Sequence, residues 1–171
     1  MLPCLYCESV SGDLPQAVVY EDADVVAFLD WRQSAPGHVL VVPRRHLAAE
    51  QLFADPAGPK VMAAVMRVAL AVRVAVGADG VQMGAILYPG AGPERVSGRV
   101  HPVYAIPLET AEDGHFHLHV LPRTHNGEVA RIYPFGDEVG RPETLEGIAL
   151  RIRAALSGAP MLPDDLGRAR A

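Results

Sequence analysis

Gly114-His115-Phe116-His117-Leu118-His119-Val120-Leu121-Pro122-Arg123 is the stretch that decides how this chain is read. Histidine recurs at every second position, with apolar residues between. That alternation predicts a β-strand. Residues i, i+2 and i+4 of a strand share a face, so His115, His117 and His119 line one side and Phe116, Leu118 and Val120 the other. Imidazoles are poor core filler, because each buried ring nitrogen needs a partner. Three of the chain's seven histidines stand in this row. The pattern therefore points to chemistry: a metal site, general acid/base work, or a nucleophile for an electrophile such as phosphorus. The row alone leaves all three open.

Other elements flank the row. Residues 17–20 and 25–29 are short β-type runs around the polar turn Glu21-Asp22-Ala23-Asp24, which predicts a hairpin. Asp30 to Gly37 reads as a loop, and residues 38–43 as a strand closed by Pro43. Residues 57–76 predict one long, well-buried helix with Gly77 as its stop. Residues 81–88 are a further strand. Residues 89–114 form a Gly/Pro-rich insertion, an extended loop with an edge strand broken by Pro102 and Pro107. A C-terminal helix over 142–157 carries the stripe Leu145, Ile148, Ala149, Ile152 and Leu156. Strands interrupted by two helices predict an α+β fold with a mainly antiparallel sheet. One domain is expected over residues 1–158, with 159–171 as a loose tail.

At 171 residues, half of them hydrophobic, the chain has ample material for a core. A net charge of −5 and a pI near 5.8 argue against a general nucleic-acid or anionic-membrane surface. Met1-Leu2-Pro3-Cys4 lacks the pattern of an export signal, and the most apolar stretch, 61–76, is interrupted by Arg67 and Arg73. A soluble, cytoplasmic protein is expected. The only cysteines form Cys4-Leu5-Tyr6-Cys7. With no strand before it, this pair fits half a zinc site better than a redox motif, two histidines elsewhere completing the set. His46 is either a surface residue or a third ligand.

These residues together resemble the histidine triad (HIT) family of nucleotide hydrolases and transferases. The family's signature is His-φ-His-φ-His-φ-φ, with φ apolar, and His115-Phe116-His117-Leu118-His119-Val120-Leu121 is similar to it at every position. Cys4-Leu5-Tyr6-Cys7-Glu8 resembles the opening of many bacterial members. Val26-Ala27-Phe28-Leu29-Asp30 resembles the strand that ends on a ribose-binding aspartate. Pro36-Gly37-His38-Val39-Leu40-Val41-Val42-Pro43 resembles the strand led by an active-site histidine, with Arg44-Arg45-His46 after it.

The resemblance implies a HIT-like fold: an antiparallel sheet of five or more strands, one long helix, a C-terminal helix, and pairing into a homodimer. It implies hydrolysis of a nucleoside phosphate conjugate or dinucleoside polyphosphate, of AMP or GMP type, at the α-phosphate. His117 would be the nucleophile, through a nucleotidyl-histidine, with no catalytic metal required. His119 would contact the phosphate or leaving group, and His38 would lie close to His117 and fix its tautomer. Asp30 would accept from the ribose, with Phe28, Leu29 and Trp31 flanking the base. By the same resemblance Cys4, Cys7, His46 and His115 would hold a structural zinc. The alternatives are a nucleotidyltransferase or phosphorylase of the same superfamily, and a nucleotide-binding protein with little turnover; His119, where transferases often carry Gln, favours the hydrolase. The chain departs from the pattern at the Gly-Gln pair that faces the α-phosphate, replaced here by Thr110 and Ala111. An asparagine usual in the preceding strand is also missing, Asn126 being the only one in the chain. Arg95, Ser97, Arg99 and His101 are the candidates to take over from the insertion.

Overall fold

The structure, a computed structural model, describes residues 4–31, 33–85, 114–123 and 142–158. Nine elements are described: α1 (Leu5–Ser11), β1 (Val18–Glu21), β2 (Val25–Leu29), β3 (Val39–Pro43), α2 (Ala49–Ala54), α3 (Ala57–Val76), β4 (Gly80–Gly84), β5 (Leu118–Arg123) and α4 (Pro142–Leu156). The strands form one sheet in the order β1-β2-β3-β5-β4, every pair antiparallel. This is the expected α+β architecture.

The β1–β2 turn follows from Asp22. Its Oδ1 accepts the backbone N–H groups of Asp24 and Val25 at 2.8 and 2.9 Å, an Asx arrangement that mimics a backbone turn. Lys60, from the long helix, closes over the turn by pairing with Asp24 at 2.6 Å. β2 and β3 are rich in β-branched residues and buried along their whole length. Strand alternation divides them between two faces. Val25, Ala27, Leu29, Val39 and Val41 join Val61, Val65, Val68 and Val72 of α3, and Leu145, Ile148 and Ile152 of α4, in the main core. Val26, Phe28, Leu40 and Val42 form a second cluster on the opposite face, where Tyr6 and Val10 of α1 pack. Each fully buried valine or leucine stabilises the fold by roughly 1.5–3 kcal/mol, so the layer under α3 dominates.

α3 begins and ends where expected. Gly77 takes φ +64°, and its N–H and that of Ala78 return to the last turn, satisfying carbonyls that the helix leaves over. Gly37 matters for a different reason. At φ +97° a Cβ there would stand 2.9 Å from Val76, so only glycine lets the 30–38 loop lie against the end of α3. α1 and α2 were not expected, being seven and six residues long. The histidine row is strand only from Leu118 onward; before that the N–H of Phe116 bonds to Leu47 O at 2.8 Å instead of joining the ladder. The alternation of faces survives, with Phe116, Leu118 and Val120 against the main core. The insertion up to residue 113, the end of the 81–88 strand beyond Ala85, and the tail lie outside the described residues, as does the turn after Arg123. Among the described residues no helix is long and apolar enough to cross a membrane.

Candidate active site and metal centre

The histidines gather on the face of the sheet opposite α3. β3 pairs with β5 so that Leu40 faces His119. His38, two residues before Leu40 and on its face, is therefore the diagonal neighbour of His119. His38 Nε2 and His119 Nδ1 are 2.9 Å apart, and both residues are 0 % exposed. This corrects part of one expectation: His38 lies near enough to His117 to act on it electrostatically, but its hydrogen bond goes to His119, because the register sets His117 two residues further along, and the His117 tautomer is set by His115 O instead. Asp30 completes a row. Its Oδ2 lies 3.5 Å from His38 Nδ1, and the residue is only 9 % exposed.

The 30–38 loop is folded so as to bring these groups together. Asp30 N donates to His38 O at 3.0 Å. Gln33 braces both ends: its Oε1 accepts from Gly37 N and His38 N at 2.7 and 3.1 Å, and its Nε2 donates to His38 O at 2.9 Å. Sequence reasoning treated Gln33 as an ordinary loop residue. An amide with two donors and an acceptor, in a polar loop before a buried histidine, was the available signal.

Proton positions follow from the partners. A carbonyl can only accept, so His117 Nδ1, 3.0 Å from His115 O, carries a hydrogen. Burial, more than the opposing pull of that carbonyl, lowers the His117 pKa, and the neighbouring His38 adds to it. The ring is thus neutral, with its lone pair on Nε2. His119 is pushed down to about 3 by burial, then by His117 and His38. The Asp30 carboxylate favours a proton on His38 Nδ1; His38 Nε2 then accepts from His119 Nδ1–H, and the His119 lone pair is on Nε2. Although Asp30, His38 and His119 are also close enough to suggest a metal cluster, 2.9 Å between two ring nitrogens is the spacing of a shared proton.

His115 differs from both. Its Nε2 donates to Pro43 O at 2.8 Å, which turns the Nδ1 lone pair toward the cysteines. Nδ1 lies 3.6 Å from Cys4 Sγ and 3.5 Å from Cys7 Sγ, and His46 Nδ1 lies 3.2 Å from Cys7 Sγ. A tetrahedral zinc with two thiolates and two imidazoles separates its donors by about 3.3–3.8 Å. All four donor atoms lie within 4.8 Å of one another. The carbonyl behind His115 is the kind of partner that orients a ligating imidazole. Burial, then the hydrogen bond and charge of Cys4 and the charge of Glu8, raise the Cys7 thiol to about 11. Burial likewise holds His115 near 4, hence neutral and able to ligate. The donor set fits zinc in number, type and spacing.

The expected apolar residues divide. Phe28 lies on the histidine face in the second cluster. Leu29 is turned the other way by strand alternation and is fully buried in the main core under α3, and Trp31 packs against that same core. Tyr6, not singled out in the sequence, stacks on His117 with ring centroids 4.4 Å apart. An aromatic between two candidate metal ligands was the signal for it.

A model of the HIT domain matches residues 11–96. The chain is 28% identical over 157 residues to the protein named hit of Bacillus subtilis, covering 91% of this chain and 96% of that one. A Zn-bound histidine triad family protein from Mycobacterium smegmatis superposes with a TM-score of 0.62 at 27% identity, over 91% of this chain and 94% of that one. A 71-residue stretch is 32% identical to adenosine 5'-monophosphoramidase hnt1 of Schizosaccharomyces pombe, covering 42% of this chain and 53% of that protein.

Proposed function

The chain belongs to the HIT domain family, and from that premise we propose that it is a nucleotide hydrolase that cleaves a nucleoside phosphate conjugate at the α-phosphate through a nucleotidyl-His117 intermediate. One observation carries the reading. His117 is a neutral imidazole whose Nδ1–H is tied to His115 O at 3.0 Å, so its nucleophilic nitrogen is Nε2. The monophosphoramidase name of the Schizosaccharomyces pombe relative supports an AMP conjugate as substrate.

In the first half-reaction a bond forms between His117 Nε2 and phosphorus. The bond to the leaving group breaks, its electron pair departs with that group, and water supplies the proton. In the second, water attacks the same phosphorus, His119 Nε2 takes the water's proton and passes it to the hydroxide left by the first half-reaction, and the phosphorus–nitrogen electron pair returns to His117. The hydrogen bond of His119 to His38, and Asp30 behind His38, stabilise the imidazolium that forms. Asp30, Phe28 and Trp31 remain the proposed nucleoside contacts; the expected phosphate donors of the insertion lie outside the described residues.

Cys4, Cys7, His46 and His115 are the proposed zinc ligands. Four protein donors leave no open position, so the ion would act structurally, tying α1 to the start of the catalytic strand. A homodimer is also proposed. Met62, Met66, Leu70 and Val74 form an inclined stripe along α3 at four-residue spacing, each between 50% and 61% exposed. The long helix and a sheet edge are where pairing is expected.

Turnover of an AMP conjugate with an amine leaving group tests the reaction. His117→Asn should abolish it while AMP still binds. Near wild-type turnover by that variant would move the attack to a directly activated water. Added inorganic phosphate, if consumed, would make the enzyme a phosphorylase instead.

A further inference from the structure

The first turn of α1 places Tyr6 on the candidate nucleophile. Its ring lies over that of His117, with centroids 4.4 Å apart and planes 28° apart. It meets His115 edge-on at 5.8 Å. His119 also packs against the His117 ring, T-shaped at 5.1 Å. The hydrogen bond to His115 O restrains His117 at one nitrogen only, and an imidazole held at one point still swings. The two rings packed against it close that swing.

What holds Tyr6 in turn is α1. A seven-residue helix is far too short to persist alone, and its N-cap, Cys4, makes no side-chain capping bond. Its anchors are the apolar burial of Leu5, Tyr6 and Val10, the hydrogen bond from Gln16 Nε2 to the buried Ser9 Oγ at 2.9 Å, and the two thiols on either side of Tyr6. Those thiols belong to the four-donor cluster that fits zinc.

We propose that Tyr6 is a positioning residue for His117, and that the metal cluster sets the orientation of the nucleophile through Tyr6. The catalytic half of this inference rests on His117 being the nucleophile; the structural half does not. A zinc in the Cys4–Cys7 knuckle fixes the backbone on both sides of residue 6, so the Tyr6 ring stays over His117. With the metal removed, α1 loosens, the stack opens and His117 gains rotamers that miss the phosphorus.

The test uses full-length, zinc-loaded protein with isotope-labelled histidine. The ring-proton resonances of His117, identified by their loss in His117→Asn, should be shifted upfield by the Tyr6 ring current. Tyr6→Leu should abolish that shift, Tyr6→Met should do the same, and Tyr6→Phe should keep it. Stripping zinc with a chelator should move the His117 resonances as Tyr6→Leu does, while those of His38 stay put. In turnover of an AMP conjugate, Tyr6→Leu should lower kcat about ten- to a hundredfold with KM nearly unchanged, and Tyr6→Phe should restore it. A raised KM at normal kcat would make Tyr6 a substrate contact and overturn the positioning role. His117 resonances that ignore either Tyr6→Leu or zinc removal would overturn the inference. So would joint movement of all three histidines on chelation. Because the resonances are read without turnover, an inactive wild type would count against the proposed reaction and leave the Tyr6 coupling to stand or fall on its own.

Discussion

Acid should unfold this protein through His119, and the size of the effect follows from the site. His119 is fully buried against His38 and His117, and its pKa falls from 6.5 to about 3. The unfolded chain binds a proton near pH 6.5 that the folded chain refuses. The folded pKa is the lower one, so this stability is present above 6.5 and is lost as pH falls toward 3. Each pH unit inside that window is worth about 1.4 kcal/mol, so at about pH 4.5 the fold has lost roughly 2–3 kcal/mol to this one ring. That is a large part of the total for a domain of this size. His119→Asn isolates the effect, since the asparagine amide can still donate to His38 Nε2 but does not titrate. Urea unfolding of both proteins at about pH 7.5, 6.0 and 4.5 gives two stability curves. Contributions from the metal cluster, common to both, cancel in the difference. Wild type should lose its advantage over His119→Asn by about 2–3 kcal/mol between pH 7.5 and 4.5. A gap that stays constant with pH would mean that His119 is protonated or solvated in the folded protein, and the assignment of its lone pair would fail.

Two further outcomes bear on the metal and the assembly. Elemental analysis of protein purified without a metal-affinity tag should give about one zinc per chain, and Cys4→Ala should lower both zinc content and Tm; full occupancy in that variant would remove Cys4 from the ligand set. Light scattering should give a dimer mass, and Leu70→Glu, in the middle of the exposed α3 stripe, should shift it to monomer with the fold intact; a monomer across a wide concentration range in the unaltered protein would leave that stripe without a second copy.

Some parts of this molecule could be read from the chain and others could not, for physical reasons. α3 was legible to the residue because its apolar run is long and Gly77 offers a left-handed stop. β2 and β3 were legible because valine-rich runs bounded by turn residues have few other uses. α1 and α2 escaped, since seven and six residues show no helical period and are held by tertiary contacts. In the site, the donor types of the metal cluster were visible as cysteine and histidine at related positions, and the folded chain brings all four together. Which histidine His38 would meet was not visible. That depends on strand register, and a shift of two residues on one face exchanges His117 for His119 without altering any sequence pattern. Tyr6 and Gln33 were passed over because each acts through what it leans on, a relation that spacing does not encode.

The central claim is a covalent bond between His117 Nε2 and the α-phosphorus, and it can be observed directly. Phosphoramidates of histidine are lost in acid and survive base, so a reaction with an AMP conjugate is quenched rapidly in base and digested for mass spectrometry. The account predicts a nucleotidyl group on the peptide containing His117, appearing early and decaying as free AMP accumulates. Free AMP released at the full rate with no adduct on that peptide at any quench time, or an adduct that persists in His117→Asn, would contradict it.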